Sequence, residues 1–237
     1  KILLKDQVVS KNGRMVSPGR SAESFALEQI KENKKTVKSY RSKDGKMRNI
    51  FSMDFNLHPG HKGIRGNVYA KDIFYQSQRF KIDPAIAMAI TETESSFNPK
   101  ATSHIPAYGL MQLVPATGAR DAYKYVYNKD KFLGKRYLYK PQNNIELGCA
   151  YLGKIRHVYL KGIENDENAM MCTVAAYNTG VGNVSKALTN TTKISPMVKK
   201  VNKMSSNKLY KTLLKDLEHQ ETRDYLKKVW NRKENYN

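Results

Sequence analysis

The run Pro84–Ile90 is wholly apolar and directly follows Asp83. An aspartate before a proline favours a helix start, because its side chain caps the first turn and proline fits the first helical position. A helix that is apolar on nearly all sides must be buried on most of them. The run is far shorter than the roughly 18 residues of a membrane span. The sequence therefore predicts a helix at the centre of a folded domain.

The pattern of apolar and polar residues changes near residue 66. Upstream, we predict a helix over Ser21–Lys34, two strands and a turn at 43–46. The strands are Thr36–Tyr40 and the alternation of Phe51, Met53, Phe55 and Leu57. Downstream, no strand pattern follows. A helix is predicted from Pro84 to a stop at Asn98 and Pro99, and others at 69–80, 144–157, 166–177, 182–190, 206–217 and near the C-terminus.

These patterns predict an α+β chain with two parts. Residues 1–66 form a small strand-containing accessory region, which we expect to be the C-terminal part of a larger domain because two strands and a helix cannot build a core. Residues 67–237 form a mostly helical domain.

Glu94 lies at the end of the predicted buried helix, one and two turns after Ile90 and Ala87. Burial and the negative end of the helix dipole both disfavour an ionised carboxylate, so its pKa should rise toward the range of a general acid. Glu92 lies about 200° away around the helix and cannot easily act with it. By position alone, a capping or ion-paired carboxylate at a helix end is the favoured role for Glu94.

Four separate segments give Glu94 a context. In order they read E-S-x-F-x-P from Glu94, G-L-M-Q-L-x-P-x-T from Gly109, A-Y-N-x-G-x-G from Ala176, and E-T-R-x-Y from Glu221. This set resembles the catalytic domain of the soluble lytic transglycosylase (goose-lysozyme-like) family. A narrower resemblance, to a membrane-bound branch of that family, covers about residues 66–237. It rests on the segments 120–127, 143–152 and 157–163.

The resemblance implies a lysozyme-like helical fold and cleavage of the MurNAc–GlcNAc β-1,4 bond of peptidoglycan without a cofactor. Glu94 would be the single catalytic acid and then the base, with the sugar's own C6 hydroxyl closing a 1,6-anhydro ring. Substrate-binding roles carry over to these positions: Ser103, Met111, Gln112, Tyr177, Asn178 and Tyr225. Tyr177 is expected to bring its hydroxyl close to Glu94, and Met111 to form an apolar floor. For Met111 and Tyr225 a packing role is equally consistent with the residue type.

The chain is strongly basic, with a formal net charge of +21. Such a surface attracts polyanions, including nucleic acid, anionic lipid and carboxylate-rich peptidoglycan. Tyrosines and basic residues interleave over 119–140, but no OB- or RRM-like strand pattern surrounds them, so nucleic acid is not expected as a partner. The histidines show no ligand-like spacing, which predicts no metal site. Cys149 and Cys172 fit buried thiols or, in an oxidising compartment, a disulfide.

The partner that we expect is therefore the peptidoglycan glycan strand. The resemblance implies a periplasmic location, with a lipid anchor upstream of Lys1 as one means of attachment to the outer membrane. Three alternatives stay open: hydrolysis by the same fold, a non-catalytic cell-wall-binding protein, and nucleic-acid binding through charge alone.

Overall fold

The computed structural model describes residues 7–10, 13–16, 19–32, 36–52 and 57–237. Contacts divide the chain into two compact units, Lys1–Ile64 and Arg65–Asn237. A two-stranded antiparallel sheet accompanies a mostly helical structure, which confirms the predicted α+β class. In the described part of the chain, no helix combines the length and the apolarity that a membrane span requires.

The first unit contains α1 (Arg20–Glu32), β1 (Thr36–Arg41) and β2 (Met47–Ser52). The strands pair as a hairpin, with Thr36 opposite Ser52, and the predicted turn lies between them. The second strand begins earlier than predicted: β2 starts at Met47 and includes Phe51, and Leu57 forms a single bridge to Val8. Residues 53–56, with Met53 and Phe55 of the predicted alternation, lie outside the described residues, as does Lys34 of the predicted helix.

The remaining helices include all those predicted after residue 66, together with α4, α5 and α9, which were not predicted. They are α2 (His61–Arg79), α3 (Pro84–Ser95), α4 (Arg120–Tyr127), α5 (Lys135–Leu138), α6 (Pro141–Lys154), α7 (Asp166–Thr179), α8 (Val181–Thr189), α9 (Ile194–Val201), α10 (Ser206–Asp216) and α11 (Gln220–Arg232). A π-helical turn precedes α4 and another extends α6, and a short 3₁₀ turn extends α11.

Helix α3 lies in the core of the second unit, as its composition predicts. Asp83 accepts a hydrogen bond from the Ala85 backbone N–H at 2.8 Å, and Ala87, Ala89 and Ile90 have no exposed surface. Helix α11 packs against both α3 and α7. This packing brings a C-terminal helix to the end of α3 that carries Glu94.

The two cysteines are free thiols. Cys149 in α6 and Cys172 in α7 are completely buried, and burial raises the pKa of each thiol to about 12. A thiol of that kind is unreactive because the thiolate is the nucleophilic form. The two cysteines therefore contribute to packing.

Candidate active site

A left-handed turn places Glu94 at the edge of the core. Helix α3 ends at Ser95, and both Ser96 and Phe97 have positive φ angles, 49° and 58°. The helix thus ends before Asn98 and Pro99, which the sequence analysis identified as the stop. The turn sends the Phe97 side chain into the core, where it is 1% exposed, and leaves Glu94 in the last helical turn.

Glu94 faces a cleft and is held by one hydrogen bond. The Tyr225 hydroxyl donates to its Oε1 at 2.8 Å. Burial raises the pKa of Glu94 to about 7; the Tyr225 hydrogen bond opposes this rise, and the negative charge of Glu221 adds to it. Among the described residues, no ion pair involves Glu94. A carboxyl group with this pKa can both donate and accept a proton near neutral pH.

The cleft around Glu94 has a volume of about 660 Å³. We call it the Glu94 cleft. Five of the other six residues predicted for the site line it with Glu94: Ser103, Gln112, Tyr177, Asn178 and Tyr225. Met111 does not line the cleft, because its side chain is completely buried.

Hydrogen bonds from the Gln112 side chain and a closely packed glycine fix the conformation of the loop that carries Gln112. Gln112 has a φ of 46°, and its Nε2 donates to the carbonyls of Gly109 at 2.8 Å and Ala101 at 3.1 Å. Gly109 has a φ of 82°, and a Cβ there would lie 2.5 Å from the Leu138 carbonyl oxygen. Only glycine fits this position, so the loop holds Gln112 rigidly at the cleft wall.

Asn144 of α6 supports the same loop from below. Its side chain accepts from the Met111 backbone N–H at 2.7 Å and donates to the Tyr108 and Leu138 carbonyls at 2.7 and 2.9 Å. Asn144 is completely buried, so these bonds satisfy backbone groups that water cannot reach. Asn144 was not predicted as a site residue, because its role depends on the packing of α6 against the loop.

Tyr177 and Asn178 lie in the last turn of α7 and line the Glu94 cleft. The Tyr177 hydroxyl donates to the Met111 carbonyl at 2.8 Å, and no hydrogen bond joins it to Glu94. The nearby charge of Glu94 nevertheless adds to the burial that holds the pKa of Tyr177 well above its usual value. Asn178 accepts a hydrogen bond from the Thr222 hydroxyl at 2.8 Å, which ties α7 to α11.

Ser103 is an exposed residue of the cleft lining. Its Oγ accepts from the Ala107 backbone N–H at 3.2 Å and donates to the Ile105 carbonyl. Ser103 thereby shapes its own loop, and its exposed position leaves it accessible to a ligand in the cleft.

Three charged residues of α11 also line the cleft: Glu221, Asp224 and Lys228. Of these three, only Glu221 belongs to a motif that was recognised in the sequence; Asp224 and Lys228 were not predicted for the site. Their spacing around Tyr225 is i, i+3, i+4 and i+7, which places all four side chains on one helical face. Asp224 and Lys228 could therefore have been predicted from the helical spacing, if Tyr225 had been known to face the cleft. Within the described residues, no group of three or more His, Cys, Asp or Glu side chains could hold a metal ion.

The C-terminal residues brace the end of α3. Tyr236 donates its hydroxyl to Glu92 Oε2 at 2.9 Å, and Arg232 donates to the Thr93 hydroxyl at 2.9 Å and pairs with Glu92 at 3.6 Å. Thr93 itself lines the Glu94 cleft. The brace therefore fixes the side of α3 next to Glu94.

Tyr236→Phe is expected to lower the free energy of unfolding by about 1 kcal/mol, because a partly buried hydrogen bond to a carboxylate is lost while the ring remains. Chemical denaturation of both proteins at neutral pH measures the change. Tyr75→Phe, at a ring that is 65% exposed, should leave the stability unaltered. Equal stability of wild type and Tyr236→Phe would show that the brace contributes nothing.

Comparison with known proteins gives consistent matches. The family model described as transglycosylase SLT domain matches residues 71–197. A protein of Salmonella arizonae named membrane-bound lytic murein transglycosylase C is 34% identical over 95% of this chain and 60% of its own length. A protein of the same name from Klebsiella pneumoniae is 34% identical over 80% of this chain and 52% of its own length. This chain thus spans only between 52% and 60% of these two relatives.

Two solved structures share the fold. An inactive mutant of lytic transglycosylase Slt from Pseudomonas aeruginosa has a TM-score of 0.53 at 26% identity, and it matches 70% of this chain and 23% of that one. The 70-kDa soluble lytic transglycosylase in complex with bulgecin A has a TM-score of 0.55 at 25% identity, over 74% of this chain and 25% of that one. The lysozyme-like fold expected for the helical part is thereby confirmed.

Proposed function

We propose that this protein cleaves the MurNAc–GlcNAc β-1,4 bond of murein, with Glu94 as the group that transfers protons. The chain belongs to the transglycosylase SLT domain family. The observation that carries the proposal is that Glu94 lines a large cleft and that burial raises the pKa of its carboxyl group to about 7. At that pKa, the protonated and ionised forms coexist near neutral pH, so one residue can serve as acid and then as base.

The reaction that we propose has two proton transfers. Protonated Glu94 first gives its proton to the glycosidic oxygen, and the bond from that oxygen to C1 of MurNAc breaks. The Glu94 carboxylate then takes the proton of the same sugar's C6 hydroxyl as its oxygen bonds to C1. A 1,6-anhydro ring forms, Glu94 regains its proton and no water is consumed. Since Tyr225 binds Oε1, we assign both transfers to Oε2.

Hydrolysis is the second candidate, because Glu221 and Asp224 also line the cleft and either could position a water. Mass spectrometry of wild-type digests of purified murein separates the two reactions, since anhydro products are lighter than hydrolysis products by one water. We expect anhydro ends. Products with only reducing ends would reject the proposed reaction and favour hydrolysis.

We also propose that the protein works in the periplasm, attached to the outer membrane through a lipid anchor. The support is the name of the two relatives, which are described as membrane-bound. Fractionation of cells that produce the full-length protein, together with labelling by a radioactive fatty acid, tests this. Recovery in the periplasmic fraction without label would reject the anchor.

Tyr225→Phe is expected to lower kcat about tenfold, because the carboxyl group loses the hydrogen bond that orients it. The bond also holds the pKa of Glu94 down, so its loss raises that pKa and moves the alkaline limb of the kcat profile to higher pH. Tyr127→Phe is the matched control, since Tyr127 donates to Glu146 at 2.7 Å outside the cleft. An unshifted limb in Tyr225→Phe would contradict the role of this bond.

A further inference from the structure

Two more cavities lie next to the Glu94 cleft in the helical unit. The second cavity, of about 280 Å³, shares four lining residues with the cleft: Gln112, Val114, Tyr177 and Asn178. The third cavity, of about 320 Å³, shares Thr117 and Tyr151 with the second. The shared lining residues place the three cavities in a row that begins at Glu94 and ends beside α4, and we call this row the groove.

The third cavity is lined mostly by charged side chains. Four of its lining residues are charged: Arg120, Asp121, Lys124 and Asp130. The second cavity, between it and the cleft, is lined by uncharged residues only. The groove is therefore neutral in its middle and charged at both ends, because Glu221, Asp224 and Lys228 line the Glu94 cleft.

The charges of the third cavity are only partly paired with each other. Arg120 binds Asp130 through two hydrogen bonds, one of 2.6 Å from Nη2 to Oδ2. Asp121 is held from outside the cavity by Lys154 and by the Tyr159 hydroxyl at 2.8 Å. Lys124 belongs to none of the ion pairs among the described residues. It faces Asp130 closely enough to help Arg120 hold the pKa of that carboxyl below its usual value. The cavity thus offers an unpaired ammonium beside a carboxylate.

The sugar units of a glycan strand do not match this chemistry, because their hydroxyl and acetamido groups are uncharged. The peptides attached to murein strands do match it, since they carry free carboxylates and amines. We propose that the third cavity binds the ionised end of a peptide substituent on the glycan strand, with Lys124 and Arg120 receiving a carboxylate and Asp130 an amine. This inference rests on the proposed function, which places the glycan strand in the groove.

The test compares strands that carry peptides with strands of equal length from which an amidase has removed them. Binding is measured by titration calorimetry in the Glu94→Gln protein, so that no turnover occurs. We expect Lys124→Met to weaken binding of the peptide-bearing strand about tenfold, the loss typical of one charge-assisted contact, and to leave binding of the stripped strand unchanged. The matched control is Lys129→Met, at an exposed lysine near Asp130 that does not line the cavity, and it should bind both strands like the parent.

Equal weakening on both strands, or no change on either, would overturn the inference. Failure of the proposed function gives a different result: wild-type protein would then cleave neither strand, whereas calorimetry would still show whether peptides alter binding. Raising the salt concentration should reduce the difference between the two strands, because Lys124 and Arg120 are exposed and their contacts are screened. A salt-independent preference for peptide-bearing strands would assign that preference to uncharged contacts and overturn the role of Lys124.

Discussion

Glu94→Gln is expected to lower turnover of murein strands by about 10³–10⁴-fold, because glutamine can neither give the first proton nor take the second. The substitution keeps the length of the side chain and an oxygen that can accept the Tyr225 hydrogen bond, now 2.8 Å long. The fold should therefore be intact. Release of soluble fragments from purified sacculi, followed over time at equal protein concentration, measures the loss.

The matched control for this experiment is Glu146→Gln. Glu146 is also a partly buried glutamate, but it pairs with Arg79 at 2.7 Å and does not line the Glu94 cleft, so its variant should turn over like wild type. Equal turnover by the two variants would show that Glu94 is not the acid and would direct attention to Glu221 and Asp224. If wild type and Glu94→Gln bound sacculi equally and both released negligible product, the protein would be a non-catalytic cell-wall binder.

Much of the site could be predicted because most of its residues belong to short segments with a recognisable sequence pattern. The cap at Asp83 and the apolar run after it located α3, and the helical period put Glu94 on the face of Ile90 and Ala87. Local physics alone, however, could not separate a catalytic carboxylate from a structural one. The motifs that brought Ser103, Gln112, Tyr177, Asn178 and Tyr225 together came from a family resemblance.

What could not be predicted depends on long-range packing. Tyr225 lies 131 residues from Glu94 in the chain, and only the packing of α11 on α3 decides that its hydroxyl, and not that of Tyr177, binds the carboxyl group. The buried support of Asn144 has no sequence pattern at all. Helix α9 was not predicted, and it contains Pro196 in its first turn, where proline is tolerated because backbone N–H groups have no partner in the helix.

Glu94 should make the stability of the protein fall as the pH rises. Its pKa is about 7 in the folded protein, against an ordinary value of 4.5. Below pH 4.5 the group is protonated in both states and adds no pH dependence. Between 4.5 and 7 the unfolded chain has released this proton while the folded protein still holds it, so the free energy of unfolding decreases as the pH rises. The total decrease is about 3 kcal/mol, and it is complete above pH 7.

Glu94→Gln isolates this effect, because glutamine does not titrate and the other ionisable groups are the same in both proteins. Urea denaturation at several pH values from about 4 to about 8 gives the difference in free energy of unfolding between the variant and wild type. We expect the difference to shift by about 3 kcal/mol in favour of the variant over this range, whereas Glu146→Gln should not reproduce this shift. A difference that stays constant with pH would mean that Glu94 titrates normally and is ionised at neutral pH. The first proton transfer would then lack its acid, so this stability measurement also tests the proposed mechanism without any substrate.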